Sequence, residues 1–285
     1  MDFLRPATLD EALAMKAETP DAVPIAGGTD IMVELNFDKR RPPALLDLGG
    51  VAELTRWTGV TGRIRLGAAV PYARIVTELG DTLPGLAMAS RTVGSPQIRN
   101  RGTVGGNLGS ASPAGDAHPP LLAQGATVEV ASTRGARTVP VIEFFHGPKR
   151  SALEADELIT AVTVPKAAGP QQFAKVGTRN AMVIAVCSFG LSLDLRARKV
   201  GTGIGSAGPT PLRAEAAEDY AAETLPWDGT GPVLDEMARE FGELVAAAAR
   251  PIDDVRGSAA YRRHALSVLA RRTLGWAWQD RGGWS

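Results

Sequence analysis

The chain holds one cysteine, Cys187, and three histidines, His118, His146 and His264, in 285 residues. A single thiol forbids any internal disulfide. It also cannot hold an iron–sulfur cluster, which takes about four cysteine ligands. Any one-electron centre that serves this chain must sit on another polypeptide. Cys187 stands in the apolar run IAVCSFGL and reads as a small buried hydrophobe on a strand. The histidines are scattered, with no ligand spacing, which argues against a metal site. His118 follows Asp116 closely and reads as an anchor of that loop, with the lining of a ligand pocket as the second reading. An excess of basic charge is missing as well: Lys plus Arg and Asp plus Glu each number 31, which argues against nucleic acid as a main partner. No apolar run approaches the roughly 20 residues of a membrane helix. The opening MDFLRPATLDEALAMK carries acids and a proline where a signal peptide needs an apolar core, so a cytoplasmic location is expected. Neither a Ser-His-Asp order nor a Gly-x-Ser-x-Gly elbow is present.

Glycine is what the chain has. Arg101–Asp116 reads RGTVGGNLGSASPAGD, with the hydroxyls of Thr103, Ser110 and Ser112, one Asn and a closing Asp among its glycines. Successive backbone N–H groups in such a segment make an anion-binding concavity that suits a pyrophosphate. The same composition also describes an ordinary surface loop, and on this stretch alone both readings stand. Val23–Asp30, VPIAGGTD, adds an apolar strand emptying into a Gly-Gly turn, a second place where N–H groups can meet a phosphate. Two such loops can grip a diphosphate from both sides. The run GTGIGS at Gly201–Ser206 fails as a dinucleotide fingerprint, because serine holds the third glycine position and no βαβ unit surrounds it. It reads as strand or turn glycine.

A length of 285 residues suits one large domain or two to three smaller ones. Thr8–Glu11 has capping-box spacing before a helix carrying Leu9, Ala12, Leu13 and Ala17. Strands are expected at 23–26 and 44–48, forming a small α/β layer up to about residue 52. Alternation marks 63–69 as a half-buried strand, and Pro71 opens a helix through Leu79. Helices at 83–93 and 119–124 and strands at 126–131, 137–139 and 157–164 complete a middle part. The Pro/Gly/Ala-rich 165–171 marks a boundary. Beyond it, 172–176, 182–195 and 200–207 read as a three-stranded antiparallel sheet, followed by helices at 214–222, 232–248 and 258–278. In the last helix Tyr261, Leu266, Leu269 and Thr273 fall near one face, and Arg262, Arg263, Arg271 and Arg272 outside it. The tail RGGWS is expected to fray.

Together, AGGTD, TVGGN and SASPAGD resemble the FAD-binding medium subunit of the molybdenum hydroxylases, the carbon monoxide dehydrogenase and xanthine dehydrogenase family. The opening FLRPATLDEAL, VGSPQIRNRGT, GPTPLRAEAAE and YRRHALSVLARR extend the resemblance over nearly the whole chain. It implies an α+β, vanillyl-alcohol-oxidase (PCMH) type FAD-binding fold. The FAD-binding domain would span 1–168, with subdomains of about 1–52 and 53–168, and a C-terminal sheet-plus-helices domain would span 169–285. Carried over, Ile25, Ala26, Gly27, Gly28, Thr29 and Asp30 cradle the diphosphate and ribitol. Thr103, Val104, Gly105, Gly106 and Asn107 grip it from the other side, with polar contacts from Ser110, Ser112 and Asp116. Gly94 and Ile98 match positions beside the flavin or its adenine half, Leu158 and Ile159 match adenine contacts, and Lys175 matches a lysine facing the flavin. Several relatives have His-Ser where this chain has Thr29–Asp30, and xanthine dehydrogenase has an aromatic residue where it has Val93.

The resemblance further implies a large molybdopterin subunit and a small subunit with two [2Fe–2S] clusters, arranged as a dimer of heterotrimers. Electrons would run from those clusters to FAD and on to NAD⁺, oxygen or a quinone. The poverty of acid–base residues agrees, since a flavin brings its own redox chemistry. Two other classes stay open: a stand-alone FAD-dependent oxidase or dehydrogenase, and an assembly scaffold without flavin.

Overall fold

The computed structural model describes residues 1–229 and 231–284. Strands β1 (Asp2–Leu4), β2 (Val23–Ile25) and β3 (Ala44–Asp47) form a parallel sheet in the order β1-β3-β2, with Phe3 opposite Leu45 and Val23 opposite the same residue. Helix α1 (Leu9–Glu18) starts where Thr8 Oγ1 accepts the Glu11 N–H, and it buries Ala12 and Leu13 on this sheet. Buried Lys16 donates to the carbonyls of Pro20 and Ala22, closing the turn into β2. Desolvation lowers its pKa. A short helix, α2 (Ile31–Asn36), follows the Gly-Gly turn.

The second layer is an antiparallel five-stranded sheet. Two of its strands are β4 (Trp57–Val60) and β5 (Arg63–Gly67). Between β5 and the rest come α3 (Tyr72–Glu78), α4 (Pro84–Thr92), α5 (Pro96–Arg101), α6 (Val104–Ser110) and α7 (His118–Ala123). Strands β6 (Thr127–Ser132) and β7 (Gly135–Pro140) form a hairpin. The short helix α8 (Val141–Phe144) and the hairpin of β8 (Phe145–Gly147) and β9 (Arg150–Ser151) precede β10 (Leu158–Pro165). Strand β10 is central, in the order β4-β5-β10-β6-β7, and its pairing with β6 shifts by one residue between Ile159 and Ala161.

The third layer is the antiparallel sheet of β11 (Gln171–Val176), β12 (Cys187–Asp194) and β13 (Lys199–Gly205). One face carries Cys187, Phe189, Leu191 and Leu193 against α9 (Glu215–Thr224), α10 (Asp235–Ala248) and α11 (Ala259–Asp280). The other face receives α7. A Cβ on Gly201 would stand 2.0 Å from the Ala123 carbonyl oxygen, and one on Gly203 would stand 2.0 Å from that of Pro119. The GTGIGS glycines are therefore strand glycines, and their missing side chains let α7 press onto the sheet.

Several expectations need correction. The 182–195 strand begins at Cys187, because Met182 has φ +50° and Arg179 donates to the Met182 carbonyl, folding 177–186 into an arm. Arg262 is buried: it donates to Ser206 O and pairs with Asp254, while Tyr261 is exposed. The tail does not fray over Arg281–Trp284, which form a 3-10 turn with the Arg281 guanidinium 4.3 Å above the Trp278 ring. Ser285 of that tail lies outside the described residues. No described helix is long and apolar enough to cross a membrane.

Candidate functional site

The two glycine segments meet. A Cβ on Gly27 would lie 1.8 Å from the Arg101 carbonyl oxygen, so the first loop is seated directly on the backbone before the second. Only glycine permits that approach. Gly28 adopts φ +76°, which turns the chain from β2 into α2. Among the described residues, the N–H groups of Gly27, Gly28, Thr29 and Asp30 donate to no protein acceptor. Four successive free donors in a turn are a receptor for an anion.

The second segment differs from its sequence reading. Val104–Ser110 is a helix rather than a loop, because Thr103 Oγ1 caps the Gly106 N–H at 2.9 Å and Val104 and Leu108 are buried. The Gly105 N–H donates to Ala68 O and that of Asn107 to Thr103 O. The donors of this stretch are therefore largely engaged in the fold. It offers instead an open surface: a Cβ on Gly106 would meet only Thr103 Oγ1, at 3.1 Å, whereas one on Gly105 would strike Ala68.

Two cavities are lined from opposite ends of this pair of segments. One, of about 260 Å³, has Ala26, Gly27, Arg101 and Thr103 in its wall. The other, of about 250 Å³, is walled by Val93, Gly94, Asn107, Gly115, Asp116 and the arm residues Met182, Val183 and Ile184. Asn107 Oδ1 and Asp116 Oδ1 are buried without a hydrogen-bond partner. A buried acceptor left unmatched is costly, so the second cavity lacks a donor. Gly94, at φ +45°, is held by Arg99, whose Nη1 donates to the carbonyls of Val93 and Gly94, and Ile98 packs beneath it.

Lys175 and Asp116 form a buried ion pair at 2.6 Å. Burial raises the Asp116 pKa, and Lys175 and Thr92 oppose that rise. Lys175 also donates to Thr92 O at 3.0 Å and Val183 O at 3.2 Å. An ammonium has three hydrogens, and here all three go to the chain itself. Lys175 thus ties α4, the segment before α7 and the arm into one wall. His118 is fully buried, with Nε2 donating to Asn107 O and its ring tilted on Phe145. Desolvation lowers its pKa to about 4, so the ring is neutral near pH 7. It anchors the loop.

Other expected residues lie further from the cavities. Ser110 donates to Asn107 O, and Ser112 Oγ accepts from Ala114 N–H. Leu158 and Ile159 are core side chains of β10. Asp30 pairs with Lys149 at 2.9 Å, which bonds Glu34 too. Lys149, Thr92 and the arm were not singled out from the sequence, because their partners are brought close only by the fold; Arg99 was passed over although its carbonyl partners, Val93 and Gly94, are near it in sequence. The arm's Met182 and Ile184 are exposed, although the sequence placed them inside a strand.

A family model described as the FAD binding domain in molybdopterin dehydrogenase matches residues 1–167. A second, the CO dehydrogenase flavoprotein C-terminal domain, matches 172–277. The nicotine 6-hydroxylase medium subunit of Paenarthrobacter nicotinovorans is 34% identical over 95% of this chain and 95% of its own length. The xanthine dehydrogenase FAD-binding subunit of Escherichia coli O157:H7 is 30% identical over 99% of this chain and 97% of its own length. Among solved structures, quinoline 2-oxidoreductase from Pseudomonas putida 86 superposes with a TM-score of 0.90 at 27% identity, covering 100% of this chain and 98% of that one. Carbon monoxide dehydrogenase from Hydrogenophaga pseudoflava gives 0.89 at 26%, covering 99% and 98%.

Proposed function

Because the chain belongs to the FAD-binding subunit family of the molybdopterin dehydrogenases, we propose that it receives electrons from [2Fe–2S] clusters of a small partner subunit and passes them to an external acceptor. A large molybdopterin subunit completes the assembly, as a dimer of heterotrimers in the cytoplasm. The FAD-binding unit is 1–168 and the C-terminal unit 169–285. The acceptor is NAD⁺, oxygen or a quinone.

The observation that carries the reading is the pairing of free donors with unmatched acceptors. The N–H groups at 27–30 suit a diphosphate, and the bare face of Gly106 leaves room for it. Asn107 Oδ1 and Asp116 Oδ1 suit the N–H of an isoalloxazine ring. Flavin chemistry fits these residues. Bound FAD would supply a two-electron carrier that also exchanges electrons singly. The chain's own part is to hold and shield it. The turn at 27–30 fixes the anion, Arg99 sets the Gly94 turn, and the arm residues 182–184 cover the cavity wall. Ser110, Ser112, Ile98, Leu158, Ile159 and Lys175 support the same region from behind, Lys175 as a strut.

A stand-alone oxidase needs a free acid or base beside the flavin. Asp116, the carboxylate in the cavity wall, is held by Lys175, which favours the electron-carrier reading. The test is chemical. Acid precipitation of the purified chain should release yellow flavin, identified as FAD, to the supernatant. Flavin in the pellet, FMN in place of FAD, or full-rate oxidation of an organic substrate without iron or molybdenum would overturn the reading.

A further inference from the structure

The turn that offers free N–H groups to an anion also carries a negative charge. Asp30 ends that turn, and Glu34 stands one helical turn later, its N–H on the Asp30 carbonyl. Both carboxylates converge on one ammonium. Lys149 Nζ lies 2.9 Å from Asp30 Oδ2 and 3.2 Å from Glu34 Oε1. Desolvation lowers the Lys149 pKa, but the two carboxylates outweigh it and the net shift is upward. Arg40 Nη1, 4.0 Å from Glu34 Oε2, is the other cation here. Two carboxylates and two cations leave the group without net charge.

Lys149 reaches this place from the far side of the site. It sits in the turn of the β8–β9 hairpin, where Gly147 faces Arg150, and its N–H donates to the Ala111 carbonyl at the end of α6. The 27–30 turn is thus tied to both ends of α6. Gly27 rests on the Arg101 carbonyl ahead of the helix, and Asp30 meets Lys149 behind it. The open face of Gly106 lies on the helix between those ties. The backbone at Lys149 has φ +59°, in the left-handed region that non-glycine residues rarely adopt. Glycine would fit that turn without strain, so what the lysine adds is its side chain. Of its three ammonium hydrogens, two go to these carboxylates and, among the described residues, none to any other acceptor.

We propose that Lys149 is a positioning residue of the anion turn: by holding and neutralising Asp30 and Glu34, it lets a turn that carries a carboxylate accept a diphosphate. With Lys149 removed, both carboxylates face Arg40 alone, and the excess negative charge beside the bound anion repels it. The ammonium acts through Asp30, whose backbone N–H belongs to the receptor itself. The inference rests on the flavin reading for the identity of the ligand; the charge balance applies to any diphosphate at this turn.

The experiment uses the full chain stripped of flavin and titrates FAD by fluorescence quenching in about 0.02 M and about 0.5 M salt. Lys149→Met keeps most of the aliphatic stem and removes the charge. Its Kd should exceed that of wild type about tenfold at the lower salt and only about twofold at the higher, where the Debye length falls to about 4 Å. Lys149→Arg keeps the charge and should stay within about threefold of wild type at both. Lys149→Met combined with Asp30→Asn removes one charge of each sign and should recover most of the lost affinity. A strut without an electrostatic role would give a loss that ignores salt and that the second substitution deepens. Wild-type affinity in Lys149→Met, a salt-independent loss, or no recovery in the double variant overturns the proposal. Inorganic pyrophosphate, scored by its thermal stabilisation of the same chains, separates this inference from the flavin reading. If wild type binds pyrophosphate but not FAD, the flavin reading falls, and the same pattern among the variants decides the role of Lys149. If it binds neither, both fall.

Discussion

Two regions of this molecule are rich in glycine for opposite reasons. At Gly201 and Gly203 the space a side chain would take is filled by the backbone of α7, with carbonyl oxygens 2.0 Å from each Cβ position. At Gly106 that space is nearly empty. One set makes a solid joint between layers, and the other leaves a surface open for something from outside. A glycine count cannot tell these apart. What stands over the missing side chain can.

The sharpest way to break the comparison is Gly203→Ala. A methyl group there has nowhere to go, because its neighbour is backbone rather than a flexible side chain. The expected cost is about 3 kcal/mol or more, with loss of soluble protein. Denaturant unfolding of whatever remains soluble measures it. A variant as stable as wild type would show that α7 does not bear on the sheet.

Gly106→Val should invert that pattern. The chain should fold, with stability within about 1 kcal/mol of wild type, the helix-propensity scale of such a change. Its FAD affinity should fall about tenfold or more, as a side chain intrudes where the ligand approaches the backbone. Full flavin occupancy in the soluble variant would return Gly106 to the same class as Gly203.

The third prediction sits where the two regions join. His118 opens the helix that the glycine strand receives, and it bonds the Asn107 carbonyl on the cavity side. Its pKa is about 4 when folded, against an ordinary value of 6.5. Between those values the unfolded chain binds the extra proton, so stability rises with pH. His118 should therefore leave stability undiminished above pH 6.5 and lower it as pH falls toward 4, by ~3 kcal/mol in all. His118→Gln should flatten that acid limb of the unfolding profile. An unchanged limb would place the acid sensitivity elsewhere.

Much of the scaffold was legible because burial writes itself into periodicity. Ile64 and Leu66 alternate with exposed or half-buried arginines, and that pattern is β5. The three C-terminal strands were legible as apolar runs, although the middle one starts at Cys187 and not at 182. The 104–110 helix was not, because its glycines argue for a loop while the deciding facts are a Thr103 cap and two apolar side chains under a sheet. The Arg262 error has the opposite origin. Helix α11 has a buried face and an exposed one, and an arginine can sit on the buried face only where the fold brings Asp254 and Ser206 O to meet it. Asp116 and Lys175 were both singled out, but not as each other's partner, since nothing local records a contact between residues so distant in sequence.

The seat of Gly27 on the Arg101 carbonyl also bears on how long the chain survives. It closes a seam between two separately built sheets, a long-range contact of the kind that forms slowly. A ligand spanning that seam binds only the closed chain. By mass action it adds RT ln(1 + [L]/Kd), about 4 kcal/mol when free ligand exceeds Kd a thousandfold. Flavin supply would then govern lifetime as well as activity: a cell short of riboflavin would carry a larger share of this chain in the opened form that proteases and chaperones find first.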